Sequence, residues 1–269
     1  MKTVITPESS RRLNLKELFH YKDLFMILAM RDLRVRYAQT VLGLAWAVLQ
    51  PVATLLIFTL IFGRAIKVDT GEIPYPVFAL AGMSAWSYFS FVMSQSGGSI
   101  IGAGEVIKKI YFPRLIIPLS TSLVALVDFA IAVLMLLILM IFYQVPISGN
   151  IILLPIFFLL NVMAALGTGI WLSALTIRYR DFKHVVPFLI QIGLYATPIA
   201  YPVSMVPEKY QLLYHLNPMA AITEGFRFAF FGLESLHPFA YISVVVIVSL
   251  FNSGIWYFKR MERTMADLV

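Results

Sequence analysis

The chain has 269 residues, 60% of them hydrophobic and 13% charged, with a mean hydropathy of +0.84 and a formal net charge of +7. Soluble domains carry about 25% charged residues, so this composition excludes an ordinary soluble globule, and the lack of cysteine excludes a disulfide framework or a thiolate metal site. In a chain this apolar the position of each charge matters more than the positive sum, and nucleic acid is not an expected partner.

In chain order, residues 1–14 read as a polar arm, and residues 1–23 are too polar to supply the apolar core of a cleavable signal peptide. Residues 15–36 read as an amphipathic helix lying in the membrane interface. Leu15, Leu18, Phe19, Phe25, Leu28 and Ala29 fall on one side, and Lys16, Lys22, Asp23 and Arg31 elsewhere. Beyond it the acidic and basic residues leave long gaps: Arg36 to Arg64, Glu72 to Glu105, Arg114 to Arg178 broken only by Asp128, Lys183 to Glu208, and Glu234 to Lys259. A helix needs about 20 apolar residues to cross a ~30 Å hydrocarbon layer. The gaps therefore predict six spans, over 41–63, 76–97, 115–143, 151–177, 184–203 and 239–258, with the turn-like 145–150 splitting the longest gap. The expected fold class is an all-α polytopic membrane protein: six transmembrane helices, an N-terminal amphipathic interface helix and short re-entrant external helices.

Between the second and third spans, Gly102 opens and Pro113 closes a loop with room for one short helix. Glu105, Val106, Ile107, Lys108, Lys109 and Tyr111 there make a small docking surface or an ordinary charged loop. Asp128, alone at mid-span, must face protein or water, because a carboxylate at bilayer depth costs about 2.5–3.5 kcal/mol on insertion scales. With no basic residue or second acid in its own span, the favoured reading is a structural carboxylate hydrogen-bonded to a neighbouring helix, rather than a proton or ion site. The segment 204–238 is too apolar for a free external loop, and short helices dipping back into the membrane, broken at Asn217-Pro218, are expected. Glu224 and Arg227, three apart, are placed to pair on one helix face.

All but four of the 21 Lys and Arg residues fall in the N-terminal segment, the 98–114 and 178–183 loops, and the C-terminal tail; the exceptions are Arg64, Lys67, Lys209 and Arg227. The positive-inside bias then places both termini in the cytoplasm. No G-x-x-x-x-G-K-[ST] phosphate loop occurs, nor H-E-x-x-H, nor G-x-S-x-G, and the histidines at 20, 184, 215 and 237 are dispersed. No acid–base cluster suggests catalysis. Two stripes at helical spacing mix amide and aromatic side chains: Gln39, Gly43, Trp46, Gln50 and Thr54 in the first span, and His184, Phe188, Gln191 and Tyr195 in the fifth. Rings stack on the apolar faces of sugars and amides bond sugar hydroxyls. Helix packing and the interfacial aromatic belt account for the same residues.

An ordered set of motifs resembles the ABC-2 type permease subunits of bacterial polysaccharide exporters, in the branch that exports O-antigen and teichoic acid. The matching residues are Arg34-Val35-Arg36-Tyr37, Thr40-Val41-Leu42-Gly43-Leu44-Ala45-Trp46, Gln50-Pro51, Arg178-Tyr179-Arg180-Asp181-Phe182, Tyr195-Ala196-Thr197-Pro198-Ile199-Ala200-Tyr201-Pro202 and Leu216-Asn217-Pro218. The resemblance implies a single transmembrane domain over 15–260 and a cytoplasmic tail over 261–269. It maps an interface helix to 15–36, a coupling helix that docks on an ATPase to 103–112, and external gate helices to 206–231, with Tyr210, Tyr214, Phe226 and Phe230 as gate side chains. It implies a channel lined by the first and fifth spans, through Gln39, Gly43, Trp46, Gln50, Phe188, Gln191 and Tyr195. The implied partners are a second copy of the chain, two ATP-binding-cassette subunits and an undecaprenyl-diphosphate-linked polysaccharide in the membrane lipid. No cofactor is expected in this chain, ATP and magnesium belonging to the ATPase, and the expected location is the bacterial inner membrane. Permeases for teichoic acid, drugs or other lipids share this fold, and a membrane enzyme of lipid-linked sugar assembly is the reading from another class.

Overall fold

Apolar helices that close all their backbone hydrogen bonds internally are the economical way across a bilayer, and the computed structural model is built of them. It describes residues 15–37, 43–179, 181–232 and 236–262. The arm 1–14, Gln39 with the rest of 38–42, Arg180, and the tail from 263 onward lie outside the described residues. Helices α1 (Leu15–His20) and α2 (Lys22–Tyr37) come first. Gly43, at φ +48°, supplies a left-handed turn ahead of α3 (Trp46–Phe58). The helix then widens over Thr59–Ala65, where the Ile66 N–H reaches back five residues to the Ile61 carbonyl at 2.9 Å. There follow α4 (Tyr75–Gly102), α5 (Gly104–Lys109), α6 (Ile116–Phe142), α7 (Leu154–Arg178), α8 (Phe182–Ala196), α9 (Glu208–Tyr214), α10 (Pro218–Phe231) and α11 (Ala240–Met261). No strand occurs among the described residues.

Among the described residues five helical stretches are long and apolar enough to cross a membrane: Gly43–Ala65, Tyr75–Gly102, Ile116–Phe142, Gly149–Arg178 and Ala240–Met261. The fifth of the six expected spans, 184–203, takes a different form. Its helix α8 has 15 residues, about 22 Å at ~1.5 Å per residue, and stops at Ala196. Thr197 precedes Pro198 and takes the extended backbone that a pre-proline residue favours (ψ 143°). The unwound segment 197–200 is buried in protein, where non-helical backbone is tolerated at membrane depth. Side chains from elsewhere satisfy its carbonyls. Asn217 Nδ2 donates to Ala196 O at 3.2 Å, Arg227 to Ile199 O at 2.8 Å, and the Tyr75 hydroxyl to Ala200 O at 3.0 Å.

Arg227 also donates to Phe78 O at 3.4 Å, and its guanidinium lies 3.5 Å from the centre of the Phe78 ring. It thereby ties α10 to both α4 and the end of α8. Arg227→Met is expected to cost about 2–4 kcal/mol, because two buried carbonyls lose their donor at about 1–3 kcal/mol each. Arg227→Lys should recover only part of this, since a point ammonium cannot reproduce the fork. Thermal unfolding of the purified variants in detergent checks both, and equal stability of Met and wild type would refute the assignment.

The core is α4, which packs against α6, α7, α8 and α10. Small residues, Ala79, Ala81, Gly82, Ser84, Ala85, Ser96 and Gly97, let neighbours approach it on several sides. Tyr88, Phe129, Phe158 and Phe226 form a ring cluster joining α4, α6, α7 and α10, with centroids 4.6–5.9 Å apart. α7 and α11 meet at Gly167 and Gly254: a Cβ built on Gly254 would lie 2.8 Å from the Gly167 carbonyl oxygen.

One end of the bundle gathers α1, α5 and the end of α11. The Tyr21 hydroxyl donates to Tyr111 O at 3.3 Å, and the Arg114 N–H donates to Glu262 Oε1 at 3.0 Å. The opposite end holds α9 and α10, the latter tied to the α6–α7 turn by Ser148 N–H donating to Phe230 O at 3.0 Å. α2 is narrower in its contacts than its sequence suggests. Leu28 and Ala29 are buried, whereas Met26, Ile27 and Met30 are exposed, so its outward flank is apolar too; Phe19, on α1, is also exposed and leaves the side expected for it.

Candidate functional site

The two polar–aromatic stripes lie on exposed surface of α3 and α8. Trp46 is 53% exposed, Phe188 60% and Tyr195 63%, and Gln50 and Gln191 are exposed with them. Gly43 is half-buried. The exposed surface of α6 and α7 is by contrast apolar, with Leu134, Ile138 and Ile141 on α6 and Ile156 and Leu159 on α7. Amide groups avoid lipid because hydrocarbon offers them no partner. The α3–α8 face is therefore suited to water, polar ligand or another protein, and the α6–α7 face to lipid.

α5 projects the other charged surface. Ile107 is buried beneath it and Val106 half-buried, while Glu105, Lys108, Lys109 and Tyr111 are exposed. Glu105 and Lys109 approach to 3.5 Å across one helical turn; an exposed pair of this kind contributes a few tenths of a kcal/mol. The pattern is a short helix anchored by one apolar side chain and offering charge and an aromatic ring outward.

At the opposite end the aromatic residues divide. Tyr210 is exposed on α9, and the half-buried Tyr214 shares a hydrogen bond with the Tyr201 hydroxyl at 3.0 Å. Phe226 and Phe230 are 0% and 1% exposed. They are core residues of α10, so of the four side chains implied for the gate only Tyr210 and Tyr214 reach the surface. Helical periodicity cannot tell a ring turned inward from one turned outward when both flanks are apolar. Asn217 caps α10, accepting from the Met219 N–H at 2.9 Å, so the break falls at Asn217-Pro218 as the sequence indicates. Glu224 stands 3.6 Å from His215 Nε2 and Arg227 reaches α4 and the end of α8. His215 stacks on His237 at 4.8 Å. Burial first, and then the neighbouring His215, hold the pKa of His237 below the usual histidine value.

Asp128 is bound by the helix that precedes the first span. Arg36 donates to Asp128 Oδ2 at 2.5 Å, and the Tyr37 hydroxyl donates to Oδ1. Phe91 lies under the guanidinium, 4.3 Å from its carbon to the ring centre. The carboxylate is thus hydrogen-bonded to a neighbouring helix, as favoured from its isolation. Its cationic partner was invisible in its own span because it lies 92 positions earlier. Arg36 as the last basic residue before the first gap was the available signal.

A family profile described as "ABC-2 type transporter" matches residues 23–231. The chain belongs to this family. Its described residues contain α2 through α10 of the matched region, including both charged and polar–aromatic surfaces. Among curated relatives, the chain is 26% identical over 251 residues to the "O-antigen export system permease protein RfbA" of Myxococcus xanthus, covering 92% of this chain and 96% of that one. It is 28% identical over 260 residues to a protein of the same name from Klebsiella pneumoniae, covering 95% and 97%. It is 25% identical over 245 residues to the "Polysialic acid transport protein KpsM" of Escherichia coli, covering 88% and 93%. As an ABC-2 membrane domain the chain is a multi-pass membrane protein, in keeping with the five long apolar helices and shorter α8 among the described residues.

Proposed function

We propose that this chain is the permease subunit of an ABC exporter that moves a lipid-linked polysaccharide of O-antigen type across the bacterial inner membrane. The observation that carries the reading is the exposed amide–aromatic face of α3 and α8, in a chain similar over nearly its whole length to O-antigen export permeases. Two copies would meet across that face and enclose a path in which Trp46, Phe188 and Tyr195 stack loosely on sugar rings while Gln50 and Gln191 exchange hydrogen bonds. The polymer is held without a deep well and can move on. Gln39, outside the described residues, belongs to the same proposed stripe.

Two ABC ATPase subunits would dock on α5, contacting Glu105, Lys108, Lys109 and Tyr111, and would themselves bind ATP and magnesium. Their closure moves α5, and with it α4 and the linked α1–α2 segment. Tyr210 and Tyr214 on α9 are the gate residues in this reading, with Phe226 and Phe230 supporting them from the core. Both termini are then cytoplasmic, as the distribution of Lys and Arg favours.

The test is purification of the chain with the ATPase encoded beside it, and measurement of ATP hydrolysis with and without lipid-linked polysaccharide. Stimulation by the polymer is the expected result. Stable association with no polymer response would favour a drug or lipid permease, and failure to associate would overturn the exporter reading. Scrambling 105–111 in a chain that still folds should abolish export; persistence of export would remove the docking role from α5.

A further inference from the structure

A cavity of about 430 Å³ opens between α3, α4, α6 and α8, within the range of about 300–1,000 Å³ typical of small-molecule sites. Its lining is mixed in a specific way. On α4, Ser87, Ser90 and Ser94 recur three and four residues apart and so share one helix face. Ser87 and Ser90 give their protons to the carbonyls of Ser84 and Ser87, at 2.9 and 3.2 Å. Their oxygen lone pairs remain as acceptors. Gln50, from α3, brings an amide that both donates and accepts. Arg36 reaches the same cavity with Asp128 beside it.

That combination selects a ligand by chemistry. An apolar molecule would leave the Gln50 amide and the serine lone pairs without partners, at a cost of order 1–3 kcal/mol per group. An anion drawn to Arg36 would meet the carboxylate of Asp128, which already neutralises it. A neutral sugar has hydroxyls that donate to serine oxygens and accept from the guanidinium and amide, and it leaves the Arg36–Asp128 pair intact. We infer that this cavity is a glycan subsite, joined to the α3 stripe through Gln50 and extending it onto α4, which takes uncharged sugar units of the transported polymer. The inference rests on the exporter reading and adds α4, with Arg36, as a third wall of the path.

The chain has no cysteine, so single thiols can report on occupancy. Ser90→Cys is nearly isosteric, and Ser87→Cys is a second reporter should the first fail to label. Inverted membrane vesicles are prepared from source cells that make their polysaccharide and from the same cells with its polymerisation disabled, and export is stalled by ATP depletion. The probe is a small methanethiosulfonate. Labelling at Ser90→Cys or Ser87→Cys is expected to slow at least fivefold when polymer is present, while the lipid-facing control Ile138→Cys is unchanged. Equal rates at both serine positions overturn the subsite. If Gln191→Cys is nevertheless protected, the exporter reading survives without it; if Gln191→Cys is also unprotected and deletion of the chain leaves export intact, that reading falls too.

Discussion

Asp128→Asn lowers the stability of the folded chain by about 2–3 kcal/mol, and Arg36→Gln does the same, while the double variant loses much less than the sum. Breaking a buried ion pair on one side costs about 3–5 kcal/mol because the remaining charge is stranded. The Arg36 and Asp128 side chains are 33% and 14% exposed, so water relieves part of that penalty and the lower figure applies. Replacing both partners removes the stranded charge, leaving chiefly a weaker, uncharged Tyr37 hydrogen bond to position 128 and the loss of the Phe91 contact. The measurement is a double-mutant cycle on thermal or denaturant unfolding in detergent. Strict additivity would mean that the two residues do not act as a pair. Because the pair joins α2 to α6, the single variants are also expected to reduce export more than protein level.

Gly254→Val is expected to disrupt the docking of α11 and to cost about 3 kcal/mol or more. The Cβ would lie 2.8 Å from Gly167 O and 3.0 Å from the Trp171 ring, and a Cβ on Gly167 would likewise lie 2.8 Å from the Phe251 backbone nitrogen. Neither neighbour is the tip of a flexible side chain, so the helices must separate. Overpacking of a tight core costs about 1–3 kcal/mol. Here it also strains the Trp171 Nε1–Ser253 Oγ hydrogen bond of 3.0 Å and the Trp171–Tyr257 stack at 4.4 Å. Gly102→Ala is the control, because a Cβ there meets nothing within 4 Å; it is expected to be neutral or stabilising by up to about 1 kcal/mol. Monodispersity on size-exclusion chromatography and the melting temperature separate the two. A well-folded Gly254→Val protein would show that α11 packs otherwise.

Charge placement made most of this architecture legible. The gaps between charged residues gave α3, α4, α6, α7 and α11, because a desolvated charge is costly enough to be nearly absent from a span. Proline placement and the apolar character of 204–238 pointed to α9 and α10. What stayed hidden was non-local. The partner of Asp128 lies on another helix, and periodicity within α6 carries no information about it. The hydroxyl face of Ser87, Ser90 and Ser94 gained meaning only when α3 and α6 were seen beside it. The family resemblance mapped Phe226 and Phe230 to a gate, and aromatic content alone does not say which way a ring faces. The early stop of α8 was signalled by Thr197-Pro198, but a membrane span was expected to continue through it.

The unwound end of α8 inverts the usual relation between a loop and its own letters. Apart from the Thr197 hydroxyl, which accepts from Asn217 at 3.0 Å, its ties run through carbonyl oxygens, and every amino acid has one. Ile199 and Ala200 can therefore drift among residues of similar bulk with little consequence, provided the backbone keeps its course. The information that fixes this segment is stored in the donors, Tyr75, Asn217 and Arg227, none of which lies within it. A defect that looks like a failure of 197–200 can thus originate 125 positions earlier in the chain, at Tyr75. Compensating changes would be found at the donor positions rather than in the segment whose behaviour had changed.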